Sequence, residues 1–441
     1  MAIISQKYLF GWKEIENLGD LERLRLVLAH LPDEDLMHHL ERERANGRDD
    51  YPIRPVWNSI LAGIVFQHVS TESLIRELRR NGQLREMCGF DPCKGEGAVP
   101  PSHAYSRFLK KLMAHQDEID GIFGELVDEL YRLLEGFGNV LAIDGKAIHT
   151  HARRPKKDET PKYPDGRRDV DANVGLKTYR GVRKDGTLWE KVSRWFGYKL
   201  HLIVDADYEL PVAYEVTRAS ASEVKRAHKM IPALKERHEK LIESCKTLTA
   251  DKGYDDGKLI EKLWDTHGIK PVIDIRQMWR DGEETRLVSG TRNVVYDCKG
   301  TVYCHCPATG LRRAMAYGGF EKKRRTLKYR CPALHYNIEC AGRKRCPVAS
   351  AIRIPLNENR RIFTPLSRSS YAWEKTYRKR AAVERVNSRL DVSFGFERHF
   401  IRGLKKMKLR CGLALLVMLT LALGRAKEKR KEMIRSLVKA A

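Results

Sequence analysis

The spacing of apolar residues predicts a first region built only of helices. Leu21, Leu24, Leu28 and Leu31 repeat at helical spacing and would lie on one face of an amphipathic helix over residues 18–45. The other predicted helices start at Pro55, after an N-cap at Ser70, after a cap at Ser102 and near residue 118, the last ending near 134. We therefore predict a helical N-terminal domain over 1–138, which is either a plain helical bundle or a unit that recognises DNA ends through two short helices.

From residue 139 the pattern becomes that of strands alternating with helices. VLAID (140–144) is a short apolar run, and GYKLHLIVDAD (197–207) and LPVAYEVTRA (210–219) resemble the two strands of a hairpin. Strands at 247–251 and 269–275 follow, with helices at 222–243 and 257–267, whereas the polar stretch 151–194 is predicted to be a loop or a partly disordered excursion. This order predicts an α/β fold with a mixed five-stranded sheet and flanking helices.

Residues 281–360 interrupt this pattern, and helices resume at about residue 370. We predict that 139–280 is the first part of the core, that 281–360 is a Cys-rich basic insertion, and that 361–441 completes the core with C-terminal helices. The apolar run 411–424 has 14 residues, which is too short to span a bilayer. It is predicted to be a buried helix, so no membrane partner is expected.

The charge balance points to a polyanionic partner. The chain has 83 Lys and Arg against 58 Asp and Glu, a formal charge of +25, and residues 139–441 carry +31 while residues 1–138 carry −6. Such an excess favours phosphate contacts with nucleic acid, although anionic membranes attract it too. The first residues lack the pattern of a secretory signal, and ten cysteines in so long a chain are not typical of a secreted disulfide framework. We therefore expect a cytoplasmic, nucleoid-associated protein.

Two aspartates directly follow apolar strands. Asp144 ends the run in AIDGK, and Asp251 ends the run in TADKGYD. A carboxylate at the end of a strand lies at the rim of a sheet, where ligands bind, and two of them on adjacent strands can share a hard cation such as Mg²⁺. Taken singly, each aspartate is explained better as a strand-end cap.

A third carboxylate comes from the helical segment YRKRAAVERVNSRL. Tyr377, Arg380 and Glu384 fall within roughly 60° of one another around a helix of about 3.6 residues per turn. The acid suits a metal ion, the guanidinium a phosphate and the phenol the positioning of a DNA strand. A row of surface ion pairs has the same spacing, so it is the combined order of Asp, Asp and Glu on strand, strand and helix that favours phosphoryl transfer with two metal ions.

These motifs resemble those of the DDE transposases of bacterial insertion sequences. The matching segments are AIDGK around Asp144, TADKGYD around Asp251 and the Tyr-x-x-Arg-x-x-x-Glu signature of Tyr377, Arg380 and Glu384. The resemblance implies a ribonuclease H-like core in which the three acids bind two Mg²⁺ or Mn²⁺ ions and activate water, then a freed 3′-hydroxyl. It also implies double-stranded DNA as the partner, both as inverted repeat ends and as target, with a homodimer as one mode of assembly.

Four further residues near these motifs are candidates for contact with DNA. Lys252 and Tyr254 follow the second aspartate, and they either touch DNA or are turn residues. The family signature often ends with a lysine seven residues after the glutamate, where this chain has Asp391. Arg385 or Arg389 is predicted to substitute for that lysine.

Six of the ten cysteines lie within residues 298–346. Clustered thiols in a cytoplasmic chain are typical of a structural zinc site, and Cys304, Cys306, Cys340 and Cys346 are one choice of four ligands. Their spacings fall outside the usual gaps between zinc ligands, so free or buried thiols explain them about equally well.

The sequence thus predicts an insertion-sequence transposase that binds the ends of its element, cleaves the strands and transfers the 3′ ends to a target. One alternative is a metal-dependent nuclease that shares the core but does not join strands. Another is a non-catalytic DNA-binding protein that retains the fold, against which the intact Asp144, Asp251 and Glu384 argue. Inverted repeats beside the coding region would separate the transposase from the nuclease.

Overall fold

The computed structural model describes residues 19–44, 51–154, 169–183, 185, 187–276, 279 and 281–435. Its helices are α1 (Leu21–His30), α2 (Glu34–Arg44), α3 (Ile53–Val65), α4 (Thr71–Arg80), α5 (Gly82–Cys88), α6 (Ser102–Ala114), α7 (Gln116–Leu133), α8 (Glu223–Arg237), α9 (Glu239–Ser244), α10 (Gly257–Glu261), α11 (Pro332–His335), α12 (Tyr371–Arg378), α13 (Ala381–Ser393) and α14 (Leu404–Lys427). Its strands are β1 (Val140–His149), β2 (Asn173–Val182), β3 (Leu188–Asp205), β4 (Leu210–Arg218), β5 (Thr247–Ala250), β6 (Lys270–Ile273), β7 (Thr285–Leu287), β8 (Val294–Asp297), β9 (Val302–His305), β10 (Arg312–Ala314), β11 (Ala316–Glu321), β12 (Thr326–Arg330) and β13 (Ala351–Pro355).

A mixed sheet in the order β4-β3-β1-β5-β6 forms the centre of the fold. β3 pairs antiparallel with both β4 and β1, while β1, β5 and β6 run parallel to one another. β5 and β6 have four residues each and are almost entirely buried because helices cover their faces. The predicted ribonuclease H-like α/β fold, a mixed sheet with flanking helices, is confirmed, although the sheet has six strands and not the predicted five.

A sixth strand lies where the sequence predicts a loop. β2 pairs with the first half of β3 over ten residues, so part of 151–194 is a two-stranded ribbon, while 155–168 lie outside the described residues. Most of its β3 half is exposed and therefore carries no apolar alternation that could have predicted a strand. Instead, tryptophans cover cross-strand glycines: a Cβ on Gly175 would lie 2.3 Å from the Trp195 ring, and one on Gly181 would lie 2.5 Å from that of Trp189.

The helical prediction for the N-terminal third is confirmed, with two local differences. The helix predicted over 18–45 is divided into α1 and α2 because Leu31, which precedes Pro32, is extended. Ser70 caps α4 as predicted and accepts a hydrogen bond from the backbone three residues on. Ser102 is the first residue of α6 and not its cap, a position that Pro101 takes without a side-chain hydrogen bond.

Helix α14 is the central packing element of the protein. It packs against α1, α3, α6, α7 and β4, and one continuous hydrophobic core extends from the N-terminal helices to the sheet. By length and hydropathy α14 could cross a membrane, but 89% of its apolar window is buried inside the protein. The predicted buried helix at 411–424 is therefore confirmed.

The Cys-rich region forms two small antiparallel sheets with a core of their own. One sheet has the order β10-β9-β8-β7 and the other has the order β11-β12-β13. Val294, Val302, Leu327 and Ile354 are among the buried residues between them. The chain then returns through α12 and α13 to the edge of the central sheet.

Candidate active site

Asp144 and Asp251 lie side by side on neighbouring parallel strands. The pairing of β1 with β5 ends at Ile143 opposite Ala250, and the residue that follows each of these two is one of the aspartates. β1 itself continues to His149 because its pairing with β3 goes on, so Asp144 lies within the strand and not at its end as predicted. Both carboxylates nevertheless lie at the carboxyl end of the parallel pair, which is where α/β sheets bind ligands.

Burial and neighbouring charge both act on the carboxyl group of Asp144. The residue is 7% exposed and accepts a hydrogen bond of 2.7 Å from the backbone N–H of Gly145. Burial raises the pKa of Asp144 to about 6; the negative charges of Asp251 and Glu223 act in the same direction, while Lys177 opposes them. A buried carboxylate beside two like charges is a group that a bound cation would stabilise.

Glu384 is linked to the same place through Arg380. Glu384 is on the first turn of α13, a helix that packs on β1 and β3. The Arg380 guanidinium lies 2.8 Å from the Glu384 carboxylate and 3.7 Å from the carboxylate of Asp144. The structure therefore groups Glu384 with the two aspartates at one edge of the sheet.

Tyr377 and Arg380 do not lie on one regular helix with Glu384. Helix α12 ends before Arg380 and α13 begins after it, and the N–H of Arg380 donates to the backbone oxygen of Tyr377 at 2.9 Å in a tighter turn. Tyr377 and Arg380 are nevertheless close to each other as predicted, since the Arg380 guanidinium lies 5.9 Å from the centre of the Tyr377 ring. That ring in turn stacks on Trp373, with 4.8 Å between the ring centres.

The position where the family signature often has a lysine is occupied by an acid that pairs with a lysine of β1. Asp391 occupies that position, and its carboxylate accepts a hydrogen bond of 2.5 Å from Lys146 of β1. The predicted substitutes point elsewhere: Arg385 donates to the Glu209 carboxylate at 2.6 Å, and Arg389, 13% exposed, donates to the Glu209 backbone oxygen. The side chains of Arg389 and Lys146 are both largely buried, whereas that of Arg385 is 52% exposed, so Arg385 is the more accessible of the two predicted substitutes.

The two residues predicted to touch DNA after the second aspartate differ in exposure. Lys252 is exposed and lines an open groove together with Lys299 and Trp373. Tyr254 is fully buried, and its hydroxyl has no hydrogen-bond partner among the described residues. The burial of Tyr254 argues against the predicted contact with DNA.

One acid that the sequence prediction did not include also lies at this edge of the sheet. Glu223 is the first residue of α8, and its carboxylate lies 3.0 Å from the ammonium group of Lys199. Its charge acts on Asp144 and on the buried hydroxyl of Tyr254. An acid in the first turn of a helix is ordinary, so the sequence held no signal that set Glu223 apart.

The residues at this edge fit a divalent cation, although they do not form a closed set of ligands. Among the residues that the structure describes, no group of three or more His, Cys, Asp or Glu side chains is already arranged to hold a metal ion. The fit rests on oxygen donors: Asp144 is buried with its charge opposed by two other acids, and the Tyr254 hydroxyl beside them is buried without a partner.

The four predicted zinc ligands line one cavity. Cys304, Cys306, Cys340 and Cys346 all border it, and so does Cys331, which the prediction omitted. The sulfur atoms of Cys306 and Cys340 lie 3.8 Å apart, and all ten cysteines of the chain are free thiols.

Hydrogen bonds around one sulfur of this cavity favour its thiolate form. Hydrogen bonds from the side chain and backbone of Thr309 and from the backbone of Ala308 and Gly342 lower the pKa of Cys306 to about 6. Because the thiolate is the form that binds zinc, this environment suits a ligand.

A mixed sheet with two adjacent aspartates, on which a helix bearing a glutamate packs, is the architecture of a DDE-type core. A model of the transposase DDE domain family matches residues 135–420, and the chain belongs to this family. No curated protein matches the chain. Among solved structures, the cryo-EM structure of the piggyBac transposase synaptic complex with hairpin DNA is similar, with 13% identity, a TM-score of 0.39, and coverage of 96% of this chain and 80% of that chain.

Proposed function

We propose that this transposase belongs to an insertion sequence, binds the inverted ends of its element, cleaves the strands and transfers their 3′ ends to target DNA. The observation that carries the proposal is the contact of Arg380 with both Asp144 and Glu384, beside Asp251 on the next strand. Three acids and one guanidinium at the edge of a sheet suit the transfer of a phosphoryl group with two metal ions.

In this proposal Asp144, Asp251 and Glu384 hold two Mg²⁺ or Mn²⁺ ions. When bound, such ions make water a stronger nucleophile and neutralise charge on the phosphate. Arg380 would bind a phosphate oxygen of the cleaved strand with its planar guanidinium. Tyr377, held by its stacking on Trp373, would support the sugar or base beside that phosphate.

The groove beside the site and the positive charge of the chain support duplex DNA as the substrate. Lys252, Lys299 and Arg368 line the open groove that Trp373 also borders, together with one acid, Asp274, so a phosphate backbone entering the groove would meet more positive than negative side chains. Residues 311–345 contain 11 Lys and Arg and two acids, and residues 398–439 contain 13 and two. Such a protein would act in the cytoplasm on the nucleoid, and as a homodimer it could hold both ends of one element.

The test uses duplex DNA that carries the inverted repeats flanking the coding region. With purified protein and Mg²⁺ or Mn²⁺, we expect cleavage at the 3′ ends of the repeats and their joining to a target plasmid, and neither product with a chelator. Cleavage without joining would identify the nuclease, and binding without cleavage under every metal condition would identify the non-catalytic DNA-binding protein.

We also propose a structural zinc ion at the Cys-lined cavity. A tetrahedral ion with zinc–sulfur bonds of about 2.3 Å has its sulfur atoms about 3.8 Å apart, which is the distance between those of Cys306 and Cys340. The cavity offers five thiols, one more than a tetrahedral ion takes. We retain Cys304, Cys306, Cys340 and Cys346 as the ligands and leave Cys331 as the neighbouring thiol.

Metal analysis of the purified chain is expected to find one zinc per chain. Cys306→Ser and Cys340→Ser should each lose the zinc, whereas Cys331→Ser should keep it. Cys93→Ser, at an exposed cysteine, is the control. A folded chain that is purified without chelators and contains no zinc would refute the site, and loss of zinc in Cys331→Ser alone would refute the ligand set.

A further inference from the structure

The carboxylate of Glu223 lies between the two segments that carry the aspartates. A Cβ built on Gly145, next to Asp144, would lie 2.8 Å from one oxygen of Glu223, and a Cβ built on Gly253, two residues after Asp251, would lie 3.2 Å from the other. A side chain at Gly145 would therefore displace Glu223, and one at Gly253 would crowd both Glu223 and Asp251, whose Oδ1 would lie 2.6 Å from the added atom. The glycines of AIDGK and TADKGYD leave the space that this fourth acid occupies.

A buried hydroxyl provides an independent observation at the same spot. Tyr254 is fully buried, and its hydroxyl has no partner among the described residues. Burial raises the pKa of this phenol far above its ordinary value, and the charges of Glu223, Asp144 and Asp251 add to the effect. A buried polar group without a partner is costly, and this one lies within the electrostatic reach of three carboxylates.

The ordinary explanation for Glu223 accounts for only one of its two oxygens. Lys199 lies 3.0 Å from Oε1 and also donates to the backbone oxygen of Ala221 at 3.1 Å. Oε2 is the oxygen that lies beside Gly253 and the Asp251 carboxylate. The ion pair with Lys199 therefore does not account for the position of Oε2 next to the turn that carries Asp251.

We propose that Glu223 is a fourth carboxylate of the metal site, held by Lys199 through one oxygen and directed at the divalent ions with the other. This inference rests on the proposed function, because it concerns the ions that Asp144, Asp251 and Glu384 would bind.

The inference is tested by titrating the full chain with Mn²⁺ in the absence of DNA and measuring the bound ion by electron paramagnetic resonance. We expect Glu223→Gln to weaken Mn²⁺ binding by about tenfold or more, as losses around metal sites do. Glu215→Gln is the matched control, because Glu215 of β4 makes an ion pair of 2.7 Å with Arg226, which is on the same helix as Glu223. The control should bind Mn²⁺ like the unmodified chain.

Asp144→Asn separates the failure of this inference from the failure of the proposed function. If Asp144→Asn weakens binding and Glu223→Gln does not, Glu223 is only an anchor of α8 and the inference is wrong. If neither variant weakens binding, the proposed metal site itself is wrong. Should Glu223→Gln not fold, Glu223→Asp keeps the charge but shortens the side chain, and unchanged Mn²⁺ binding by that variant would overturn the inference.

Discussion

Replacement of Asp144 by asparagine is expected to lower the rate of strand cleavage by roughly a thousandfold or more, because the variant lacks a carboxylate that would bind the metal ions on which cleavage depends. Asp251→Asn and Glu384→Gln should have effects of the same order. Binding to the DNA ends should persist in all three, since most of the positive charge lies outside this cluster. The measurement is single-turnover cleavage of end DNA beside a binding titration of the same DNA.

Glu374→Gln is the matched control for Glu384→Gln. Glu374 pairs with Arg378 at 2.5 Å on the exposed surface of α12, much as Glu384 pairs with Arg380, but it does not contact the aspartates. It should cleave at the ordinary rate. Retention of Mg²⁺-dependent cleavage by all three active-site variants would end the assignment of this site.

The same Asp144→Asn variant should not be less stable than the unmodified chain. Because the pKa of Asp144 is raised from 3.8 to about 6, the ionised carboxylate costs folding free energy at neutral pH. Asparagine removes that cost, so in a chelator the variant should unfold at a higher urea concentration above pH 6. The difference should fade as the pH falls from about 6 to 4, where the native carboxyl becomes protonated. A lower midpoint for the variant at pH 7 would contradict this account.

Local pattern was enough to predict the parts of the site that depend on one segment. The spacing of Tyr377, Arg380 and Glu384 indicated a shared face, and their contacts follow it even though the helix is broken at Arg380. Asp144 and Asp251 could be predicted because apolar runs end there, although the pairing of β1 with β3 continues beyond the first of them.

Contacts between distant segments could not be predicted from the sequence. The pair of Lys146 with Asp391 joins residues 245 positions apart, and no local pattern connects them. Glu223 looks like any acid at the start of a helix, and only the packing of α8 against β1 and the turn after β5 brings it to the aspartates. The ribbon of β2 and β3 was missed for a different reason: most of its β3 half is exposed to solvent, so the alternation that reveals strands is absent.

Gly197→Ala is expected to lower the free energy of unfolding by about 3 kcal/mol or more, because a methyl group there meets backbone and not a movable side chain. A Cβ at this position would lie 2.2 Å from the backbone oxygen of Ile148 and 2.6 Å from the backbone nitrogen of Thr150. Gly197 is the residue at which β3 passes from its pairing with β2 to its place beside β1. Relief of the clash would therefore separate β1 from β3, the pairing that holds Asp144.

The control is Gly121→Ala in α7, where a Cβ would meet nothing within 4 Å. Alanine is the better helix former by about 1 kcal/mol, so this variant should be as stable as the unmodified chain or slightly more stable. Urea unfolding of the three proteins gives the comparison, with the slope of each transition showing whether the variants still unfold from a compact state. Equal urea midpoints for Gly197→Ala and Gly121→Ala would mean that β1 and β3 can move apart at Gly197 without loss of unfolding free energy. The position of Asp144 would then not depend on the close pairing of these two strands.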